Sequence, residues 1–251
     1  TSTSIRVQLK NEKLVINPIG FNSTGINSTT NEITISDHGL KTGDKVFYED
    51  NNFDSWIETS DQIDTTAEES EPNGIHFKPD GTRMYIVGRS SDEVNEYILS
   101  TPWSISTASF VSNFSVSSEG TSPRGLYIRD DGLKFWICDT SNDEIYQYSM
   151  STAWDLSTAS YDNVSLLVGS GSALGQALPT GIYFKYDGSV LYLIGASGDF
   201  IHQLDLSTPW DITTASYSGN TTGRLDLNPP DSGPQDLHIN SFGTLLYWVG
   251  A

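Results

Sequence analysis

Several residue types are scarce in this chain of 251 residues. Its single cysteine, Cys138, excludes an intrachain disulfide and falls at an apolar strand position, where we expect a small buried residue rather than a nucleophile. The chain has 13 basic and 32 acidic residues, a formal net charge of −19. This charge argues against nucleic acid and anionic membranes as partners, because both are polyanions. No apolar run approaches the roughly 20 residues that span a bilayer, so we expect no membrane insertion.

Recognisable catalytic motifs are missing as well. No Ser/His/Asp, Cys/His or paired-carboxylate set stands out. The glycine-rich piece at 169–175 lacks the lysine and the strand–helix context of a phosphate-binding loop. We therefore predict a protein that is not an enzyme and has no cofactor, with Ca²⁺ as the one exception considered below.

The chain is rich in one repeated phrase. Its first copy, at 72–109, reads PNGIHFKPDGTRMYIVGRSSDEVNEYILSTPWSISTAS, and further copies open at Pro123, Pro179 and Pro234, the last of them partial. The equivalent glycines lie 51, 56 and 55 residues apart, at Gly81, Gly132, Gly188 and Gly243. A period of about 40–50 residues with four short strands is typical of propeller blades.

Each copy divides into the same parts. A proline precedes the first strand, an Asp-Gly pair predicts a tight turn, and an almost continuous apolar run predicts a second strand buried on both faces. A third strand, a tryptophan-containing loop and a variable outer strand follow. The sequence therefore predicts an all-β propeller with four-stranded blades of about 50–56 residues, three complete and one partial.

The phrase KPDGTRMYIVG resembles the repeats of the YVTN/PDG-type propeller families. The resemblance covers about residues 72–251, and we assign residues 51–251 to the propeller repeats. It implies the fold but not the activity, because these families include lactonases, dehydrogenases and binding modules. A four-bladed ring closed by the strands DKVFYE and SWIETS is one solution; we favour a larger propeller of which this sequence is one stretch.

Residues 1–50 have a different texture and are expected to form a small β-module. Strands are predicted at IRVQL, KLVINP, EITIS and DKVFYE. The phrase HGLKTGDKVFYE resembles a module of phage tail and other virion proteins, which implies attachment to a particle. His38, beside Gly39, is expected to serve a turn rather than catalysis.

Two sets of residues are candidates for ligand binding. The tryptophans of the repeated loop, Trp103, Trp154 and Trp210, could stack on the sugar rings of a glycan; the alternative is that each covers the edge of its own blade. The loop DTSNDE offers oxygen ligands for Ca²⁺; the alternative is a solvated hairpin loop. Its candidate metal ligands are Asp139, Asn142, Asp143 and Glu144.

A third set occupies one position of the first strand in each copy. It consists of His76, Tyr127, Tyr183 and His238. Such residues beside a central channel could bind a metal or a substrate. Because two blades separate the two histidines, we expect packing between blades instead.

From these features we predict a non-enzymatic component of a virus particle, a phage tail fibre or receptor-binding protein. Its expected partners are other virion proteins and a host-surface glycan or receptor, its expected location is the virion or the extracellular space, and a homo-oligomer is expected from the resemblance. Two alternatives remain open: a secreted propeller enzyme, either a lactonase or a polysaccharide lyase, and a bacterial cell-surface adhesion protein. Turnover that is lost on His76→Ala or His238→Ala would favour the enzyme.

Overall fold

A computed structural model describes the backbone of residues 5–9, 19–21, 26–27, 32–33, 46–50, 62–175, 178–197, 200–217, 224–227, 233–239 and 246–250. The chain divides into two compact units, Thr1–Ser60 and Asp61–Ala251. Residues 51–60 thus group with the first unit. Among the described residues, the only helices are single three-residue turns, and none could cross a membrane.

The first unit contains short antiparallel strands. Three of them form a sheet in the order β2-β1-β5, in which Val7 lies opposite Tyr48. The strands are β1 (Ile5–Leu9), β2 (Ile19–Phe21), β3 (Ile26–Asn27), β4 (Glu32–Ile33) and β5 (Val46–Asp50). The strand predictions at IRVQL and DKVFYE are confirmed, whereas KLVINP and the residues His38, Gly39, Gly43 and Asp44 lie outside the described residues.

The second unit is a series of antiparallel sheets, of which two have four strands, one has five and one has two among the described residues, which confirms the predicted propeller blades. Each sheet runs in chain order from an inner to an outer strand. The first blade comprises β6 (Pro72–Phe77), β7 (Arg83–Gly88), β8 (Glu93–Leu99) and β9 (Ala108–Ser115). The second comprises β10 (Pro123–Ile128), β11 (Lys134–Asp139), β12 (Glu144–Met150) and β13 (Ala159–Leu167). The third comprises β14 (Pro179–Phe184), β15 (Val190–Gly195), β16 (Phe200–Leu206), β17 (Ala215–Tyr217) and β18 (Arg224–Asp226), which pairs with β16; the fourth shows β19 (Pro234–Ile239) and β20 (Leu246–Gly250).

The Asp-Gly turns form as predicted. Gly81 has a φ of +72°, a conformation that favours glycine, and its N–H donates to the Lys78 carbonyl oxygen at 2.8 Å. The Asp80 carboxylate accepts from the Thr82 N–H at 3.0 Å. The same pattern recurs at Gly132 and Gly188. These aspartates are therefore turn-forming residues, because their carboxylates bond the adjacent backbone.

Adjacent blades pack through the two faces of their second and third strands. In the first blade, Tyr85 and Val87 point toward the second blade and join its core, while Met84 and Ile86 lie on the opposite face. Alternating side chains along a strand explain this division. The apolar second strands are buried on both faces for this reason, as the sequence predicts.

The two ends of the array differ from its middle. Ile75 in the first inner strand is 51% exposed, whereas its equivalent Leu126 is 6% exposed. At the other end Tyr247 and Val249 are exposed on the hairpin β19–β20. Within the described residues no further strand covers these two faces.

Candidate functional site

A row of four aromatic rings crosses the innermost strands of the blades. The His76 and Tyr127 ring centroids lie 5.4 Å apart, those of Tyr127 and Tyr183 lie 5.3 Å apart, and those of Tyr183 and His238 lie 5.2 Å apart. All three contacts are edge-to-face, the geometry that aromatic quadrupoles favour. We call these four residues the channel row, because inner strands surround the central channel of a propeller.

The channel row arises from the repeat itself. Its members occupy one register position, opposite Tyr85, Trp136, Tyr192 and Tyr247 of the neighbouring second strands. Consecutive inner strands lie close together, so equivalent side chains from successive blades meet. The expected packing between blades is present in these ring contacts, and the two intervening tyrosines connect His76 to His238.

The inner strands approach closely because glycines stand at their contact points. A Cβ at Gly74 would collide with the Arg124 carbonyl oxygen of the second blade. A Cβ at Gly125 would come 2.9 Å from the Thr180 carbonyl oxygen of the third. Glycine at this position therefore permits the spacing that brings the ring of one blade onto the ring of the next.

Both histidines of the row are neutral at pH 7. Burial lowers the pKa of His76 to about 4, and the nearby His238 adds to the effect by charge repulsion. Burial also lowers the pKa of His238. A neutral imidazole carries one hydrogen-bond donor and one acceptor, so each ring can bind a hydroxyl group from either side.

Both phenols of the row keep their protons. Burial raises the pKa of Tyr127, and the negative charges that Tyr183 and Asp130 would place nearby raise it further. Burial likewise raises the pKa of Tyr183. The row thus contains donors and neutral acceptors but no cationic group.

The row becomes more accessible toward the fourth inner strand. Tyr127 is 7% exposed, Tyr183 is half-buried and His238 is exposed. Beside His238 lies a shallow depression of about 210 Å³, whose lining residues are Asp236, Leu237, His238, Tyr247, Trp248 and Val249. His238 is the most exposed of the four rings.

Asp236 is the acidic residue of this depression. Burial raises the pKa of its carboxyl group to about 6, against the opposing effect of the Leu237 N–H, which donates to Oδ1 at 2.8 Å. Sequence reasoning missed this residue. The signal that could have found it is its departure from the repeat, which has Gly74, Gly125 and Gly181 at the same position.

The predicted tryptophan ladder is divided between two environments. Trp154 is 7% exposed, its ring covers Gly132, and its carbonyl oxygen accepts from the Tyr85 hydroxyl of the previous blade at 2.7 Å. Trp210 packs beside Trp136 and Phe184. Both rings pack between neighbouring blades; Trp154 is buried there, whereas Trp210 is half-buried.

Trp103 differs from the other two. Its ring covers Gly81 in the same way, yet it is 58% exposed. The backbone N–H of Trp103 donates to the Gly81 carbonyl oxygen at 2.9 Å, and the residue has a φ of +66°. Glycan stacking by these tryptophans stays a prediction.

The four candidate calcium ligands do not converge. Asp139 is 1% exposed, and its carboxylate accepts from the N–H groups of Ser122 and Ser141 at 2.8 and 2.7 Å. Asn142 donates to the Glu119 carbonyl oxygen, and Asp143 accepts from the Leu178 N–H at 2.8 Å. Glu144 begins β12. In the described parts of the chain no three His, Cys, Asp or Glu residues are grouped to hold a metal ion.

Cys138 is fully buried in the core between the second and third blades. Burial raises the pKa of its thiol to about 12, and its Sγ accepts from the Gly125 N–H at 3.1 Å. A protonated, inaccessible thiol cannot act as a nucleophile. The prediction of a small buried residue at this position is confirmed.

No family model and no curated protein matches the chain. Solved structures do. A protein from Lactobacillus plantarum is 15% identical over 99% of this chain and 75% of its own length, with a TM-score of 0.50. The periplasmic gluconolactonase of Pseudomonas aeruginosa is 13% identical over 70% of this chain and 46% of its own length, with a TM-score of 0.45.

A candidate 6-phosphogluconolactonase from Bacteroides fragilis is 17% identical over 99% of this chain and 61% of its own length, with a TM-score of 0.48. The chain spans only 46% to 54% of the length of several other structures that it matches. At these identities the likeness shows the fold, a multi-bladed β-propeller.

These neighbours contradict the prediction of a non-enzymatic virion component. They include sugar lactonases, which fit the alternative of a propeller lactonase better than a tail fibre or receptor-binding protein. The same names contradict the prediction that the protein is not an enzyme, but at these identities the likeness shows the fold and not an activity. The resemblances to PDG-type repeats and to a tail module, the expected partners, the homo-oligomer and the virion or extracellular location stay predictions.

Proposed function

We propose that this chain belongs to a β-propeller hydrolase that opens an uncharged sugar lactone at the channel row. The observation that carries the proposal is the continuous series of neutral imidazoles and protonated phenols from His76 to His238. The lactonases among the similar structures support the reaction class. The activity belongs to the whole protein, of which the row is one part.

The residue types of the row suit a sugar lactone. A sugar presents several hydroxyl groups and C–H faces, which neutral imidazoles and aromatic rings bind through hydrogen bonds and stacking. The Tyr183 hydroxyl is a protonated donor that would polarise the lactone carbonyl oxygen and stabilise the charge that develops on it during attack by water. His238 would bind a ring hydroxyl beside it.

The electrostatics favour an uncharged substrate over a phosphorylated one. Phosphate binding usually takes arginine, lysine or a helix N-terminus, and the channel row contains none of them. The formal net charge of −19 repels an anionic ligand in addition. We therefore expect glucono-δ-lactone to be hydrolysed much faster than its 6-phosphate.

The test measures the rate of acid release from lactones by pH-stat titration. The spontaneous rate of hydrolysis without protein is subtracted. We expect the protein to accelerate hydrolysis of glucono-δ-lactone. Removing the donor with Tyr183→Phe should lower kcat/KM about 100-fold, in line with the loss of one oxyanion donor. His238→Ala should mainly raise KM, because it removes a binding group.

Tyr186→Phe is the matched control, because it removes the same hydroxyl from an exposed tyrosine in the turn after β14. It should leave kcat/KM unchanged. A rate no faster than the spontaneous one with every lactone, or equal losses in Tyr183→Phe and Tyr186→Phe, would refute the proposal.

A further inference from the structure

The tryptophan of the repeated loop reaches the channel row of the preceding blade. The Trp154 ring of the second blade is stacked with the His76 ring of the first, with centroids 6.5 Å apart and planes inclined by 18°. The Trp210 ring of the third blade is stacked with the Tyr127 ring of the second, with centroids 6.3 Å apart and planes inclined by 27°. Each of these two channel-row rings therefore meets the next row member at an edge and the tryptophan of the next blade at a face.

The contact recurs because the loop fixes the position of the indole. Trp154 and Trp210 have φ values of +63° and +67°, a left-handed conformation that is rare for a bulky residue. The backbone N–H of Trp154 donates to the Gly132 carbonyl oxygen at 2.9 Å. The equivalent bond from Trp210 to Gly188 measures 3.0 Å. Each indole also covers its turn glycine, so the Asp-Gly turn of one blade directs a ring at the inner strand of the blade before it.

Trp210 contacts several side chains of the second blade. Tyr127 and Arg129 lie two residues apart on β10, so their side chains share one face of the sheet. The Arg129 guanidinium lies 5.9 Å from the Trp210 ring centroid, and its Nη2 pairs with Asp131 at 2.7 Å. The Trp136 ring, opposite Tyr127 on β11, is stacked with Trp210 at 5.8 Å. Three groups of the second blade hold the indole, and the indole holds Tyr127 in return.

Tyr127 in turn limits the orientation of Tyr183. The two ring centroids lie 5.3 Å apart in an edge-to-face contact, so a tilt of the Tyr127 ring would open space beside Tyr183. The Tyr183 hydroxyl is the donor that we assign to the lactone carbonyl. A displacement of about 1 Å at a reacting centre can cost about 100-fold in rate. The support behind Tyr127 therefore bears on the reaction.

We propose that the loop tryptophans of the second and third blades are positioning residues for the channel row: Trp154 orients His76, and Trp210 orients Tyr127 and, through it, the donor Tyr183. The part that concerns Tyr183 rests on the proposed function and deepens it, whereas the orientation of His76 and Tyr127 does not depend on it. This role is distinct from both roles considered from the sequence, glycan stacking and covering the edge of the tryptophan's own blade.

The kinetic test compares Trp210→Leu and Trp210→Phe with wild type on glucono-δ-lactone. Trp210→Leu removes the flat ring that supports Tyr127, so kcat should fall about 10-fold. KM should change less than about twofold, because the indole does not touch the substrate. Trp210→Phe keeps a flat ring against Tyr127 and should retain at least about half of the wild-type kcat.

Val168→Ala is the matched control for a loss of packing. Val168 is fully buried in the same core against which Trp210 packs. It follows the outer strand β13, about 14 Å from the inner strand of its sheet, since three strand spacings separate them. This variant should lower the free energy of unfolding and leave kcat unchanged. Equal losses of kcat in Val168→Ala and Trp210→Leu, or a wild-type kcat in Trp210→Leu, would overturn the positioning role of Trp210.

A second measurement depends neither on turnover nor on the folding of a variant. In NMR spectra of the wild-type protein we expect nuclear Overhauser effects between the Trp210 and Tyr127 rings and between the Trp154 and His76 rings. The absence of both effects would overturn the inference. Wild type that shows both effects and hydrolyses no lactone would refute the proposed function and the role assigned to Tyr183, and it would leave the orientation of His76 and Tyr127 by the tryptophans standing.

Discussion

The carboxyl group of Glu69 occupies the space that a side chain at Gly88 would fill. Glu69 is 1% exposed and accepts from the N–H groups of Glu71, Ser90 and Ser91 at 2.6, 3.2 and 3.2 Å. It thereby closes the hairpin between the second and third strands of the first blade. In the second blade the roles are exchanged: Asp139 supplies the carboxylate at the position of Gly88, and Gly120 makes room at the position of Glu69.

This exchange predicts that the pair can be swapped. Glu69→Gly should lower the free energy of unfolding by about 2–3 kcal/mol, because it leaves several buried N–H groups without acceptors. Gly88→Asp should also destabilise the protein, because the new side chain collides with Glu69. The double variant should recover most of the loss. Urea denaturation followed by fluorescence measures all three, and a double variant no more stable than the worse single one would contradict the exchange.

The two environments of the repeated tryptophan predict unequal costs of removal. Trp154→Ala should lower the free energy of unfolding by about 3–5 kcal/mol, because the ring is buried between two blades. Trp103→Ala, at the same repeat position, should cost about 1 kcal/mol, because most of that ring is already in water. Thermal and urea unfolding measure both variants. If Trp103→Ala and Trp154→Ala lost the same free energy of unfolding, the Trp103 ring would have to be buried as well.

A buried hydrogen bond of Tyr85 links the first blade to the second. The Tyr85 hydroxyl donates to the Trp154 carbonyl oxygen at 2.7 Å, and both groups are buried. Tyr85→Phe should lower the free energy of unfolding by about 1–2 kcal/mol, because the carbonyl loses its partner and water cannot replace it. Tyr186→Phe on the surface is the control, and an equal effect of the two changes in urea unfolding would rule out this contribution.

The channel row predicts a loss of stability in mild acid. The folded-state pKa of His76 is about 4, below its ordinary value of 6.5. Between these two values the unfolded chain binds more protons than the folded one, so the contribution is complete above pH 6.5 and is lost as pH falls toward 4. In His76→Asn the decrease of the free energy of unfolding from pH 7 to pH 5 should be smaller than in wild type. NMR titration should show the His76 ring neutral at pH 5, and a midpoint near 6.5 would contradict the burial argument.

Much of the fold could be predicted from local signals. The Asp80-Gly81 turn depends on residues within a few positions of each other, and the apolar second strands depend on a contiguous pattern. The candidate site could not be predicted in the same way. His76 and Tyr127 are 51 residues apart in the chain, and their contact depends on how closely consecutive inner strands approach.

The functional prediction failed for a related reason. It relied on the short phrase around His38, which lies outside the described residues, and on the absence of a familiar catalytic pattern. A site assembled from one residue per blade produces no such pattern, because its members are separated by a whole repeat.

The blade is readable from local signals alone, because its repeat length, turns, strand pattern and the burial of Cys138 all follow from residue types and their spacing. Which of the repeated residues share an environment depends on the packing of one blade on the next. The tertiary structure covers Trp154 and exposes Trp103, directs the carboxylate of Asp139 at backbone N–H groups, and joins His76 to His238 through two tyrosines. The physical reason is that burial and ring contact depend on the neighbouring blade, and no single repeat contains its neighbour.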